Sequence, residues 1–234
     1  MTINQKNALY KDNSFSARRK RHLLAKKKKR AQKRGINNVS PSKRDLDVLS
    51  DNYQKGHFNI AIKLGALITQ NYPDHPFAWH MLGAALLDVG KMKESLLVNQ
   101  KLVGLSPEDS NAHNNLANSL KGVGRLNEAE SSYKKSISLD QNNTLAHINL
   151  AKTLFDLHKY VDAEEHYKKA ISLNYNDFKA HSNFGNMLGS QGRLVEAKEC
   201  YETSININPT YARGHRMYSL MKHFETKDEQ YLRM

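Results

Sequence analysis

The chain has 234 residues, with 36 Lys and Arg against 23 Asp and Glu, and a mean hydropathy of −0.72. A basic leader and blocks of 34 residues take up almost the whole length, which leaves no room for a separate catalytic domain. No apolar run approaches the roughly 20 residues that a membrane-spanning helix needs. The single cysteine, Cys200, excludes an internal disulfide. Because the leader also lacks the apolar core of a secretory signal, we expect a cytoplasmic protein.

Residues 1–41 form the basic leader, in which residues 1–40 carry 13 bases and a single acid, Asp12. The densest bases are Arg18, Arg19, Lys20, Arg21, Lys26, Lys27, Lys28, Lys29 and Arg30. Repulsion between these charges predicts a solvated, mostly disordered segment. Three interpretations stay open: a solubilising tail, a contact with nucleic acid or the ribosome, and an import signal or lipid contact.

From Ser42 onward the sequence repeats every 34 residues. Small residues stand in register at Gly83, Ala117, Ala151, Gly185 and Ser219, and large apolar residues precede them. A turn residue follows seven positions later, at Gly90, Gly124, His158 and Gly192. A second small residue then recurs at Ser95, Ala129, Ala163 and Ala197. This spacing predicts helical hairpins whose two helices, A and B, touch at the small residues.

Tyrosines and prolines also recur in the 34-residue register. Tyrosines recur one turn after the second small residue, at Tyr133, Tyr167 and Tyr201. We expect them to cover the seam between the helices and to keep their hydroxyl groups in solvent. Prolines close three of the blocks, at Pro73, Pro107 and Pro209, where they stop helix B.

A 34-residue period with these small, large and proline positions resembles the tetratricopeptide repeat, from about Ser42 to the end of the chain. The resemblance implies an all-α, right-handed superhelical solenoid whose helices A line a concave groove. The expected repeats are residues 42–75, 76–109, 110–143, 144–177 and 178–211, and residues 212–234 form a partial sixth repeat or a capping helix. The first block departs most, at Asn52 and Gly65, which predicts capping or loose packing.

Asparagines recur on helix A at positions that the core does not need. Because asparagine is a poor helix former, its recurrence there requires a reason. The asparagines are Asn115, Asn149 and Asn183 in one column, and Asn118 and Asn186 in a second. An amide offers two donors and an acceptor to an extended peptide backbone. The columns are similar to the asparagine ladder of O-linked N-acetylglucosamine transferases, which implies peptide binding by these five residues. The alternative is that repeat duplication copied a tolerated surface residue.

The sequence predicts no catalytic residue, metal or cofactor. Histidines fall in register at His113, His147, His181 and His215, with Trp79 in the same column, but equivalent positions in stacked hairpins lie too far apart to share one ion. We therefore expect a packing role for this column. Cys200 lies beside Glu199 and Glu202, where its thiol pKa is not lowered.

Three functional hypotheses follow. The favoured one is a non-catalytic scaffold that binds an extended peptide from another protein in the groove. The second is the substrate-docking region of a sulfotransferase, or less favourably a glycosyltransferase, without its catalytic domain. It depends on residues 215–234, which resemble the junction that follows the repeats in tetratricopeptide-sulfotransferase proteins. The third is an adaptor that contacts nucleic acid or another polyanion through the leader. The oligomeric state is left open.

Overall fold

The computed structural model describes residues 40–231 and is all-α over this range, with side chains described as far as Met221. The predicted disordered leader lies almost entirely outside the described residues, as do its candidate anion-contacting bases. The helices are α1 (Lys43–Gln54), α2 (Phe58–Asn71), α3 (Pro76–Asp88), α4 (Met92–Leu105), α5 (Ser110–Gly122), α6 (Leu126–Leu139), α7 (Thr144–Asp156), α8 (Tyr160–Leu173), α9 (Phe178–Ser190), α10 (Leu194–Ile207) and α11 (Ala212–Tyr231). None of these helices is both long and apolar enough to cross a membrane.

The helices pair into consecutive antiparallel hairpins, so the all-α fold of stacked hairpins is confirmed. They fall into two compact units, with α1–α4 in unit 1 and α5–α11 in unit 2, divided between Ser106 and Pro107. Within unit 2 the first helices of successive hairpins, α5, α7 and α9, contact one another.

Side-chain caps fix where the helices A of unit 2 begin. Asp109 accepts a hydrogen bond from the backbone nitrogen of Asn111 at 2.9 Å, and Asp177 does the same for Lys179 at 2.9 Å. Asn143 accepts from the backbone nitrogen of Ala146 at 3.0 Å. These oxygens satisfy amide groups that a helix leaves unpaired at its first turn.

The small residues lie where the paired helices meet, as the period predicts. A Cβ atom added at Gly185 would come within 3.0 Å of the Tyr201 ring and 3.1 Å of the Ala197 carbonyl oxygen. In the first hairpin, Gly65 is buried, and a Cβ there would lie 3.0 Å from Cβ of Leu82. Gly65 therefore allows α2 to lie close to α3. The prediction of capping or loose packing for the first block stays a prediction.

Ion pairs join successive hairpins of unit 2, between the second helix of one hairpin and the residue directly before the second helix of the next. Lys159 contacts Glu130 at 2.7 Å, although the two residues lie on successive hairpins. Arg193 pairs with Glu164 in the same way, and these hydrogen bonds together with Lys168 lower the pKa of Glu164 to about 2. The sequence analysis did not predict these bridges between hairpins.

The turns inside the hairpins require a left-handed backbone. Gly90, Gly124 and Gly192 have φ of 76°, 81° and 77°, whereas the equivalent His158 has φ of 60°. A side chain in this conformation costs roughly 1–2 kcal/mol. His158 offsets part of that cost, because its Nδ1 lies 2.7 Å from the Tyr160 hydroxyl.

We expect His158→Gly to raise the free energy of unfolding by about 1 kcal/mol, since glycine adopts this backbone without a Cβ clash. Urea unfolding followed by circular dichroism measures the change. Gly124→Ala is the matched control at the same turn position, and it should lower the stability by a similar amount. Equal or lower stability of His158→Gly would refute this account of the turn.

Candidate functional site

The five asparagines predicted to bind peptide all lie on helices A of unit 2, namely α5, α7 and α9, and all are partly exposed. Because they occupy equivalent positions of successive hairpins, their amides follow one side of the stack. Asn149 donates from Nδ2 to Oδ1 of Asn114, 3.3 Å away. This contact joins α7 to α5 and leaves the second Nδ2 hydrogen of Asn149 available.

The second asparagine column has a structural partner that the sequence analysis missed. The Tyr133 hydroxyl donates to Oδ1 of Asn118 at 2.6 Å, and the Tyr201 hydroxyl donates to Oδ1 of Asn186 at 3.0 Å. With the oxygen held by tyrosine, both hydrogens of each amide nitrogen remain as donors. The pairing of asparagine with tyrosine fifteen residues later was the available signal.

The tyrosine hydroxyl groups were expected to lie in solvent, but the side chains are buried. Tyr133 and Tyr201 are 0% exposed and Tyr167 is 2% exposed, so their hydroxyl groups are not in solvent. Burial raises the pKa of all three, to about 12 for Tyr201. In the hairpin of α7 and α8, Lys152 stands in the second asparagine column, and Tyr167 instead stacks on Phe184 with ring centroids 5.6 Å apart.

Basic side chains flank the asparagines near α7. The pKa of Lys152 is lowered by burial and by repulsion from Lys121 and Arg213, and only Asp156 opposes this. Asp156 is also paired with Lys121 at 2.8 Å. Around Lys152, two further bases and one acid thus lie near the amide donors of α7.

The histidine column anchors the chain that leads into each helix A. In every case Nε2 of the histidine lies within hydrogen-bond distance of the carbonyl oxygen six residues earlier: His113 with Pro107, His147 with Gln141, His181 with Tyr175 and His215 with Pro209, at 2.8–3.2 Å. Trp79 donates from Nε1 to Pro73 in the same way at 2.7 Å. Because the acceptor is a carbonyl, each ring nitrogen must carry the proton. These bonds support the packing role predicted for the column.

No constellation for catalysis is evident among the described side chains. No three histidine, cysteine, aspartate or glutamate side chains of residues 40–221 converge as metal ligands. Cys200 is half-buried, and burial together with Glu199 and Glu196 raises the pKa of its thiol to about 11. It is therefore a poor nucleophile near neutral pH.

Stacked hairpins with small residues at their contacts, glycine turns and capped first helices define a helical-repeat protein. The family profiles of the tetratricopeptide repeat match residues 110–143, 144–177 and 178–211. The chain therefore carries tetratricopeptide repeats, and its described residues have the fold of that class. Comparison with curated protein sequences finds no match.

Solved structures of tetratricopeptide-repeat proteins are similar to this fold. TTC0263, a thermophilic protein of Thermus thermophilus, is 20% identical, with a TM-score of 0.67, over 76% of this chain and 97% of that one. PilF of Pseudomonas aeruginosa is 18% identical, with a TM-score of 0.67, over 79% and 85%. YrrB, described as having an unusual peptide-binding site, is 14% identical, with a TM-score of 0.57, over 75% and 91%. At such identities the likeness shows the fold alone.

Proposed function

We propose that the chain is a non-catalytic protein-interaction scaffold that binds an extended peptide along the helix-A side of unit 2. The observation that carries the proposal is the row of partly exposed amides on α5, α7 and α9. A peptide in extended conformation presents carbonyl oxygens at regular intervals, and amide donors at equivalent positions of stacked hairpins can pair with them whatever its side chains are.

The hydrogen bonds of the asparagines support a donor role. Tyr133 and Tyr201 hold the amide oxygens of Asn118 and Asn186, which orients the two amide groups before any ligand arrives. A group that is already oriented loses less conformational entropy on binding. Asn183 has no hydrogen-bond partner among the described residues, so its amide is free to pair with a ligand.

The test begins with selection of 12-residue peptides from a displayed random library against the full chain. A selected peptide is then titrated by calorimetry into the parent, Asn183→Ala and Asn149→Ala. Each substitution should weaken binding by about 1 kcal/mol, the contribution of one hydrogen bond in a partly buried site. The control is Asn127→Ala, an exposed asparagine on the second helix α6, which should bind with the parent affinity.

The outcomes separate two parts of the proposal. Unchanged affinity in both Asn183→Ala and Asn149→Ala would reject the asparagine row and leave peptide binding intact. Failure to recover any peptide that binds the parent chain in solution would reject the scaffold function itself.

A further inference from the structure

A cavity of about 660 Å³ in unit 2 is lined by residues of α6, α7 and α8, and none of the five asparagines lines it. Its charged and titratable lining consists of Lys134, His147, Glu165, His166, Lys168 and Lys169. Five of these six side chains are bases, and Glu165 is the one acid. A cavity of this size is in the range that takes small-molecule ligands.

The lysines of the lining are incompletely neutralised by the protein. Lys134 pairs with Glu130 at 2.8 Å, but Glu130 is shared with Lys159. Lys168 pairs with Glu164 at 2.7 Å, and that carboxylate is shared with Arg193. Lys169 is exposed and forms no ion pair with a described residue. Each carboxylate thus serves two bases, and the cavity keeps an excess of positive charge.

The two histidines of the lining lie within hydrogen-bond distance of each other. Nδ1 of His147 lies 3.0 Å from Nδ1 of His166, and Nε2 of His147 donates to the Gln141 carbonyl oxygen at 3.2 Å. A neutral His147 then accepts at Nδ1, so His166 is the donor in the pair. The proton that His166 takes up on ionisation must therefore go to its own Nε2, which gives the cavity a further cationic donor.

The charged groups around the two histidines indicate how a bound anion would change the pKa values of the rings. The pKa of His147 is lowered by burial and by Lys169, and this is opposed by the hydrogen bond to the Gln141 backbone and by Asp140. The pKa of His166 is lowered by burial, by His147 and by Lys134, with Glu165 and Asp162 opposing. Burial and the positive charge around the cavity both favour the neutral form of the two rings, whereas a bound anion would favour the charged imidazolium form.

We propose that this cavity binds a small free oligophosphate through Lys134, Lys168, Lys169 and protonated His166. Lysine ammonium groups bind phosphate as point charges, and phosphate oxygens accept the charge-assisted hydrogen bonds that these side chains donate. The site is separate from the proposed peptide-binding row, because the four side chains proposed to bind phosphate lie on the second helices α6 and α8.

The probe is inorganic tripolyphosphate, and the first readout is the Cε1–H resonance of His166 during a pH titration of the full chain. The resonance is identified by its absence in His166→Asn. With tripolyphosphate in excess, the pKa of His166 should rise by about one pH unit. An unchanged pKa of His166 would overturn the proposal.

The second readout is calorimetry on substitutions of exposed charges. Lys169→Gln should weaken tripolyphosphate binding at least about five-fold, since it removes a charged contact. Lys135→Gln is the matched control, because Lys135 is the equivalent exposed lysine one repeat earlier and does not line the cavity. Glu165→Gln removes the opposing acid and should tighten binding.

The bases of the leader are the same in all these variants, so any binding to them cancels in the comparison. Equal affinities of Lys169→Gln and Lys135→Gln would show that the cavity does not hold the anion. That result would contradict the proposal even if tripolyphosphate bound elsewhere on the chain.

Discussion

Replacing Tyr133 with alanine should lower the free energy of unfolding by about 3–5 kcal/mol, as expected for a large aromatic removed from a core. The side chain is 0% exposed on α6, and its hydroxyl reaches Asn118 on α5. The substitution leaves a cavity at the contact between α5 and α6. It also removes the hydroxyl group that donates to the amide oxygen of Asn118. Urea unfolding monitored by circular dichroism measures the loss.

Two variants separate the packing from the hydrogen bond. Tyr133→Phe keeps the ring and should cost only about 1 kcal/mol, the usual contribution of one hydrogen bond. Tyr160→Ala removes a tyrosine that is 37% exposed, and it should cost clearly less than Tyr133→Ala because it leaves no closed cavity. A loss below about 1 kcal/mol in Tyr133→Ala would mean that the tyrosine column does not hold the hairpins together.

The hairpins could be predicted from the sequence because the residues that determine them act locally and recur from repeat to repeat. A small residue, a turn residue and a closing proline each act within a few positions, so the 34-residue register places them. His158 shows this well, since its place in the glycine column predicts a turn, and the backbone there is left-handed as that turn requires.

The partners of buried polar groups could not be predicted in the same way. The sequence marked Asn118 and Asn186 as unusual on helix A, but periodicity cannot distinguish a ligand-binding amide from one that satisfies a buried hydroxyl. The fifteen-residue spacing from asparagine to tyrosine was the available signal, but the packing of the two helices is what shows that Tyr133 and Tyr201 reach those oxygens. The cavity beside His166 was missed for a similar reason, because its lining comes from three helices, α6, α7 and α8, rather than from any one column.

Two of the five predicted asparagines also take part in the packing of their hairpins. Asn149 and Asn183 keep donors available for a ligand, whereas the amides of Asn118 and Asn186 also serve the core. A substitution of Asn118 or Asn186 would change stability and ligand binding together. This is why the peptide test depends on Asn149 and Asn183.

In unit 1 a polar network takes the place of the buried tyrosine, and it makes Gly83 intolerant of a side chain. Ser95 donates to the Gly83 carbonyl oxygen at 3.1 Å, and Asn99 donates to the Ser95 hydroxyl at 3.0 Å. Both Ser95 and Asn99 are 0% exposed. A Cβ atom at Gly83 would lie 2.2 Å from Oδ1 and 2.9 Å from Cγ of Asn99.

We expect Gly83→Ala to lower the free energy of unfolding by about 1–3 kcal/mol, because the methyl group overpacks a closed contact and displaces a buried amide. The intrinsic helix preference alone predicts the opposite sign, since alanine is favoured over glycine in a helix by roughly 1 kcal/mol. The sign of the measured change in the free energy of unfolding therefore decides whether the contact with Asn99 or the helix preference of alanine dominates.

Gly104→Ala on α4 is the matched control, because a Cβ there would meet no atom within 4 Å. It should raise the stability by about 0.5–1 kcal/mol, the gain from backbone preference alone. The double variant Gly83→Ala with Asn99→Ala should lose less than the sum of the two single losses, since removing the amide relieves the clash. Additive losses would show that Asn99 does not make Gly83 intolerant, and the contact between α3 and α4 would need another explanation.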